Sequence, residues 1–98
     1  MKIVWLVSDD KLNEVRDKLL KDELVNRQSI TIRSARILDF NKDGNYIYIT
    51  GSEESIEKAK EIVGESVQEV EDDEATEVIS RIEESEDSVA AGLGGIFG

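Results

Sequence analysis

The sequence predicts a small α+β domain, from the order of its elements and from the match of their apolar faces. Short runs of β-branched residues are followed by stretches with helical apolar spacing. The chain has 98 residues, near the commonest size for one domain, and contains no Cys, His or Pro. Its charge is divided. Residues 1–60 hold eleven basic and eleven acidic side chains, whereas residues 61–98 hold twelve acids against Arg81 and so carry the whole net charge of −11.

The first strand is "KIVWLVS", whose residues 3–7 are apolar without alternation, as expected of a central strand covered on both faces. Ser8 follows as a helix cap, with Asp9 and Asp10 in the first turn, where negative charge suits the helix dipole. Leu12, Val15 and Leu19 form one stripe of that helix, expected to run to about Val25. The second strand is expected over "QSITIRSARILDF", residues 28–40. Ile30, Ile32, Leu38 and Phe40 would share one face, with Arg36 marking a bulge or an exposed edge.

"NYIYIT" gives a third strand with Ile47 and Ile49 on one face and Tyr46 and Tyr48 on the other. The hairpin register pairs Phe40 with Asn45, Leu38 with Ile47 and Ile37 with Tyr48. Gly51 and Ser52 open a second helix with Ile56, Ala59 and Val63 as its stripe and Gly64 as its C-terminal cap. "SVQEV" offers only Val67 and Val70 for a fourth strand. "DDEATEVISRIEES" is a third helix, with Ala75, Val78, Ile79 and Ile82 on one face.

The order is therefore β-α-β-β-α-β-α. Its first six elements are the split βαβ of a ferredoxin-like sheet with helices on one face. The third helix is an addition, expected to cover part of the opposite face. One domain over 1–85 is expected, with the acidic helix at about 72–85 and a flexible glycine-rich tail over 86–98.

Composition excludes several chemistries. Without Cys or His there is no thiol or imidazole for zinc, redox or triad mechanisms. No spacing of carboxylates singles out an acid–base pair, and no glycine-rich loop opens a helix as a phosphate cradle would. The terminal "GLGGIFG" has neither a strand before it nor a helix after it. The expectation is a non-enzymatic protein. No signal peptide or apolar run of about 20 residues is present, so a cytoplasmic location without a membrane span is expected.

The stretch "DFNKDGN" raises the one metal question. Asp39, Asn41, Asp43 and Gly44 match positions 1, 3, 5 and 6 of an EF-hand loop, and Asn45 can offer its carbonyl at 7. Positions 9 and 12 are Ile47 and Thr50, so the bidentate carboxylate is missing and the flanks are strand-like. It is no EF-hand. A type I turn over Asn41, Lys42 and Asp43, closed by Gly44 with positive φ, explains the same residues. The turn is the expected explanation, and calcium held weakly at Asp39, Asn41, Asp43 and Asn45 is the reading that could be added to it, with Glu71, Asp72, Asp73 and Glu74 as the candidate second ligand group.

The acidic third points to a basic protein partner or to self-association, and it disfavours nucleic acid. The alternative is RNA or nucleotide binding through an aromatic-bearing sheet face of Trp5, Tyr46 and Tyr48. "YIYITGSEESIEKAKEIV" looks like the strand-then-helix ending of a KH-type repeat, but no G-x-x-G clamp is present. The whole chain resembles the small acidic uncharacterised α+β proteins of methanogenic archaea. The likeness lies in its Glu/Lys/Asp/Val/Ile-rich composition, its lack of Cys, His and Pro, and the "DFNKDGN" loop. That resemblance implies a stable, thermophile-like protein with calcium as a plausible ligand, and implies nothing about site residues. The function expected is a small binding domain with an acidic surface.

Overall fold

The structure is a computed structural model that describes the backbone of residues 1–97 and the side chains of residues 1–84. It is an α+β fold with a four-stranded antiparallel sheet and three α-helices. Strand β1 is Lys2–Val7, β2 is Ser29–Ser34, β3 is Asn45–Thr50 and β4 is Gln68–Glu69. The helices are α1 (Asp9–Lys21), α2 (Glu53–Val63) and α3 (Asp72–Phe97). The glycine-rich tail expected over 86–98 falls on residues whose side chains lie outside the described set.

Sheet order is β2-β3-β1-β4, so the apolar β1 is interior as its composition requires. Alternation along β1 and β3 divides the core in two. Ile3, Trp5, Val7, Ile47 and Ile49 face α1 and α2, meeting Val15, Leu19, Ile56, Ala59 and Val63. Val4 and Tyr46 face the other way and pack with Ala35, Leu38, Val78 and Ile82. The acidic helix α3 thus covers the second face, and its Val78 and Ile82 are the stripe expected to do so.

Local sequence sets the ends of these elements. Helix α1 stops at Lys21, short of the expected Val25, because Oδ1 of Asp22 accepts the N–H groups of Leu24 and Val25, each at 3.0 Å. That side-chain bond competes with helix continuation and turns the chain into a 3-10 turn at Val25–Arg27. Ser52 caps α2 by accepting the Ser55 N–H at 3.2 Å. Gly64 ends that helix at φ 53, as its position in the sequence suggests.

The largest departure from expectation lies in residues 35–44. The second strand ends at Ser34, not at Phe40, and its register with β3 is Ser34↔Asn45, Ile32↔Ile47 and Ile30↔Ile49. The expected pairs of Phe40 with Asn45, Leu38 with Ile47 and Ile37 with Tyr48 do not form. Residues 35–40 make one helical turn instead, closed by Phe40 N–H donating to Ala35 O at 2.9 Å and Asp39 N–H donating to Arg36 O at 3.0 Å. This is the Schellman pattern, with Asp39 at the left-handed C′ position, φ 64. It places Leu38 and Phe40 against α3, on the face opposite Ile30 and Ile32. Arg36 is part of that turn and marks neither a bulge nor an edge.

Candidate interaction site between the 35–44 loop and α3

A polar cluster forms among the described side chains where the 35–44 loop meets α3. Arg81, the one base of the acidic third, is anchored there. Its Nη1 donates to Leu38 O at 2.7 Å, its Nε donates to Glu77 Oε1 at 2.9 Å, and its guanidinium lies 4.5 Å from the centroid of the Phe40 ring. Phe40 in turn tilts against Tyr46, centroid to centroid 5.1 Å.

In the same contact, the Tyr46 hydroxyl donates to Glu74 Oε2 at 2.9 Å, and Lys42 Nζ meets Glu74 Oε1 at 2.6 Å nearer the surface. The Lys42 hydrogen bond is the main reason the Glu74 carboxyl titrates below its ordinary range, against the opposing effect of its burial. Burial, followed by the hydrogen bond to Glu74 and its charge, pushes the Tyr46 phenol up to about 12. These bonds fasten α3 to the sheet. Among the described residues no buried side-chain nitrogen or oxygen lacks a partner, so this cluster is fully satisfied.

Beside the anchored Arg81 is an open depression of about 580 Å³, lined by Ile37, Leu38, Asp39, Glu77, Ser80, Arg81 and Glu84. Ile37 is 70% exposed, the most exposed large hydrophobic side chain described. Its neighbours Asp39 and Glu84 are exposed carboxylates. A depression lined by an exposed apolar side chain and three carboxylates, one of them bonded to Arg81, suits a segment that presents both a cation and an aliphatic group.

The proposed calcium ligands are partly brought together. Asp39, Asn41 and Asp43 line one open depression with Arg36, Phe40 and Lys42. Asp43 is already held by Arg36 Nη2 at 2.7 Å. The Asn45 side chain is not in this group; it is 7% exposed and donates from Nδ2 to Asp9 Oδ1 at 2.7 Å. Of the acids at 71–74, only Glu74 is tied to the loop, through Lys42. Gly44 has the positive φ expected, at 109, although the expected tight turn over 41–43 is replaced by the longer 35–44 loop. Among the described residues no group of three or more Asp or Glu side chains is arranged to hold a metal ion.

Asp9 and Asp10, read from the sequence only as dipole partners, share a small cleft with Ser8, Asp43 and Gly44. Nothing in their spacing could have signalled that proximity, which follows from Val7 lying opposite Asn45. The aromatic residues are dispersed. Trp5 is buried on the α1 and α2 side, Tyr46 is buried under α3, and Tyr48 is half-buried on the Tyr46 side. No helix among the described residues is long and apolar enough to cross a membrane. No protein-family model, curated protein or solved structure matches the chain.

Proposed function

We propose that this is a non-enzymatic interaction domain that takes a basic segment of a protein partner in the depression between the 35–44 loop and α3. The observation that carries the reading is the exposed Ile37 set among Asp39, Glu77 and Glu84. Arg81 lines the same depression, but its contacts with Leu38, Glu77 and Phe40 leave the exposed rim negative. The charge division supports the same reading, because the surplus acids of residues 61–98 would draw in a cationic partner at long range. The scaffold beneath is a ferredoxin-like arrangement extended by α3, supported by the sheet order β2-β3-β1-β4 with antiparallel neighbours.

The test uses Ile37→Ser and Glu84→Lys, both at exposed positions, as bait beside the unaltered chain at low and at high salt. Capture of a basic partner that weakens with salt and is lost in both variants supports the reading. Capture that ignores salt, or survives both substitutions, sinks it. Weak calcium binding is a second property of the neighbouring loop, favoured by Asp39, Asn41 and Asp43 lining one depression.

A further inference from the structure

The outer side of β2 is an open strand edge beside an apolar groove. Among the described residues β2 pairs only with β3, and β4 closes the opposite end of the sheet. Ala35 N–H donates to Gly44 O, continuing the ladder one residue beyond Ser34↔Asn45. Antiparallel alternation then turns the backbone groups of residues 29, 31 and 33 toward β3 and those of Ile30 and Ile32 outward. Arg33 Nη1 donating to Ile32 O at 2.8 Å is consistent with an outward carbonyl there.

At the two ends the edge is already used. Gln28 N–H donates to Val25 O, and Ser34 O accepts from Leu38 N–H. That leaves Ile30 and Ile32 as the rungs between them, with the Ile32 carbonyl accepting from the side chain of its own neighbour Arg33. Alongside them, Leu20, which is 50% exposed, forms a groove of about 430 Å³ with Arg16, Leu19, Ile30 and Ile32.

We propose that the occupant of this edge is a second copy of the same chain, joined antiparallel through β2 about a two-fold axis at Thr31. These two rungs allow one register that uses both. Ile30 of each copy lies opposite Ile32 of the other, so each pair exchanges two backbone hydrogen bonds and meets apolar side chain to apolar side chain. In this register Arg33 stands opposite Ser29 of the other copy, so no like charges are directly opposite along the ladder, and Ile32 O exchanges its Arg33 Nη1 contact for the partner strand's N–H. The two-fold axis is normal to the joined sheet, which brings both α1 helices onto one face and Leu20 of each toward the shared groove.

Charge selects this edge over the other. Residues 30–32 at the β2 edge are uncharged, whereas β4 itself contains the exposed Glu69 and is flanked by the exposed Glu65 and Glu71. Joined at β2, the two β4 strands stand seven strand spacings apart, roughly 34 Å, well beyond the Debye length of about 8 Å in physiological salt. The inference goes beyond the acidic depression and does not depend on it.

Thr31 lies on the axis, so a charge placed there meets its own copy. The experiment is sedimentation of the full chain over a concentration series, alone and as Thr31→Lys, Thr31→Glu, Thr31→Val and an equimolar mixture of the two charged variants. Circular dichroism confirms that each variant is folded. The unaltered chain and Thr31→Val are expected at twice the 11.0 kDa of one chain. Each charged variant alone is expected at the monomer mass, and the mixture is expected to recover the dimer mass. A monomer at every concentration overturns the proposal. So does a dimer that persists unchanged in Thr31→Lys and Thr31→Glu alone.

Discussion

Tyr46 in β3 donates its phenolic hydrogen to Glu74 in the first turn of α3 at 2.9 Å, joining two residues 28 positions apart. The donor belongs to a fully buried side chain and the acceptor to one only 25% exposed. The bond makes the docking of α3 sensitive to pH at both extremes. Tyr46 titrates at about 12 when folded against 10.0 ordinarily, so folding favours the neutral phenol. That stability is fully present below pH 10 and is lost as the pH rises toward about 12. Glu74 is shifted the other way, so its contribution is present above its ordinary value of 4.5 and is lost as the pH falls through the lowered folded value. Thermal unfolding across alkaline pH should show a decline in the unaltered chain that is shallower in Tyr46→Phe. An equal decline in both would remove Tyr46 from the cause.

The same pair predicts an asymmetric mutant cycle. Glu74→Ala strands a buried hydroxyl and should cost about 1–3 kcal/mol, whereas Tyr46→Phe removes the donor and leaves a partly exposed carboxylate, at about 1 kcal/mol. In the double variant the stranded hydroxyl is gone, so its cost should fall below the sum of the two by about 0.5–1.5 kcal/mol. Denaturant unfolding of the four proteins measures this, and strict additivity would mean the hydrogen bond contributes nothing.

Gly44 and Gly64 both have positive φ, at 109 and 53, yet their surroundings differ. A Cβ at Gly44 would stand 2.9 Å from the Val7 carbonyl oxygen, a backbone atom that cannot swing aside, whereas at Gly64 nothing lies within 4 Å. Gly64→Ala therefore carries only backbone strain, at φ 53 and ψ −123, a region outside the left-handed helical well that costs an L residue about 1–3 kcal/mol. Gly44→Ala carries backbone strain of its own at φ 109 and adds a steric clash with β1, so it should cost more than Gly64→Ala, and Gly44→Val more again. Chemical denaturation ranks the three. Equal losses at the two glycines would show that β1 yields to the added carbon.

Residues with strong periodicity were legible in the sequence. The stripes Leu12-Val15-Leu19 and Ile56-Ala59-Val63 both face the sheet, and the alternation of Ile47 and Ile49 against Tyr46 and Tyr48 is seen in the two cores. The 35–40 turn was misread because Leu38 and Phe40 keep the parity of Ile30 and Ile32, which mimics a continuing strand. A competing signal was present, since Ala35 and Leu38 stand three apart and Asp39 tolerates left-handed φ. The depression beside Arg81 was only half legible. Its acids stood out, but the exposure of Ile37 depends on the turn that the strand reading had removed.

The Schellman turn and the calcium loop make opposite demands on Asp39, and a single substitution separates them. At C′ with φ 64, Asp39 bears a left-handed backbone that glycine adopts without a Cβ penalty. Asp39→Gly should therefore stabilise the fold by about 0.5–1 kcal/mol. A calcium site would lose one of its three oxygen-bearing side chains on the loop tip, Asp39, Asn41 and Asp43, and one of its two carboxylates, in the same step. The competing Arg36–Asp43 pair is no serious barrier to a metal, because its side chains are 79% and 86% exposed and such pairs contribute about 0–1 kcal/mol. Removing it with Arg36→Ala should tighten calcium by no more than about fivefold. With few carboxylates and no rigid cage, half-saturation is expected near ~10⁻³ M or weaker. An NMR titration with calcium, and magnesium as control, reads all three proteins. The expected pattern is saturable shifts over 39–43 that strengthen in Arg36→Ala and vanish in the more stable Asp39→Gly. Shifts of equal size for both metals, spread along 61–84 and unchanged in either variant, would assign the loop to the turn alone.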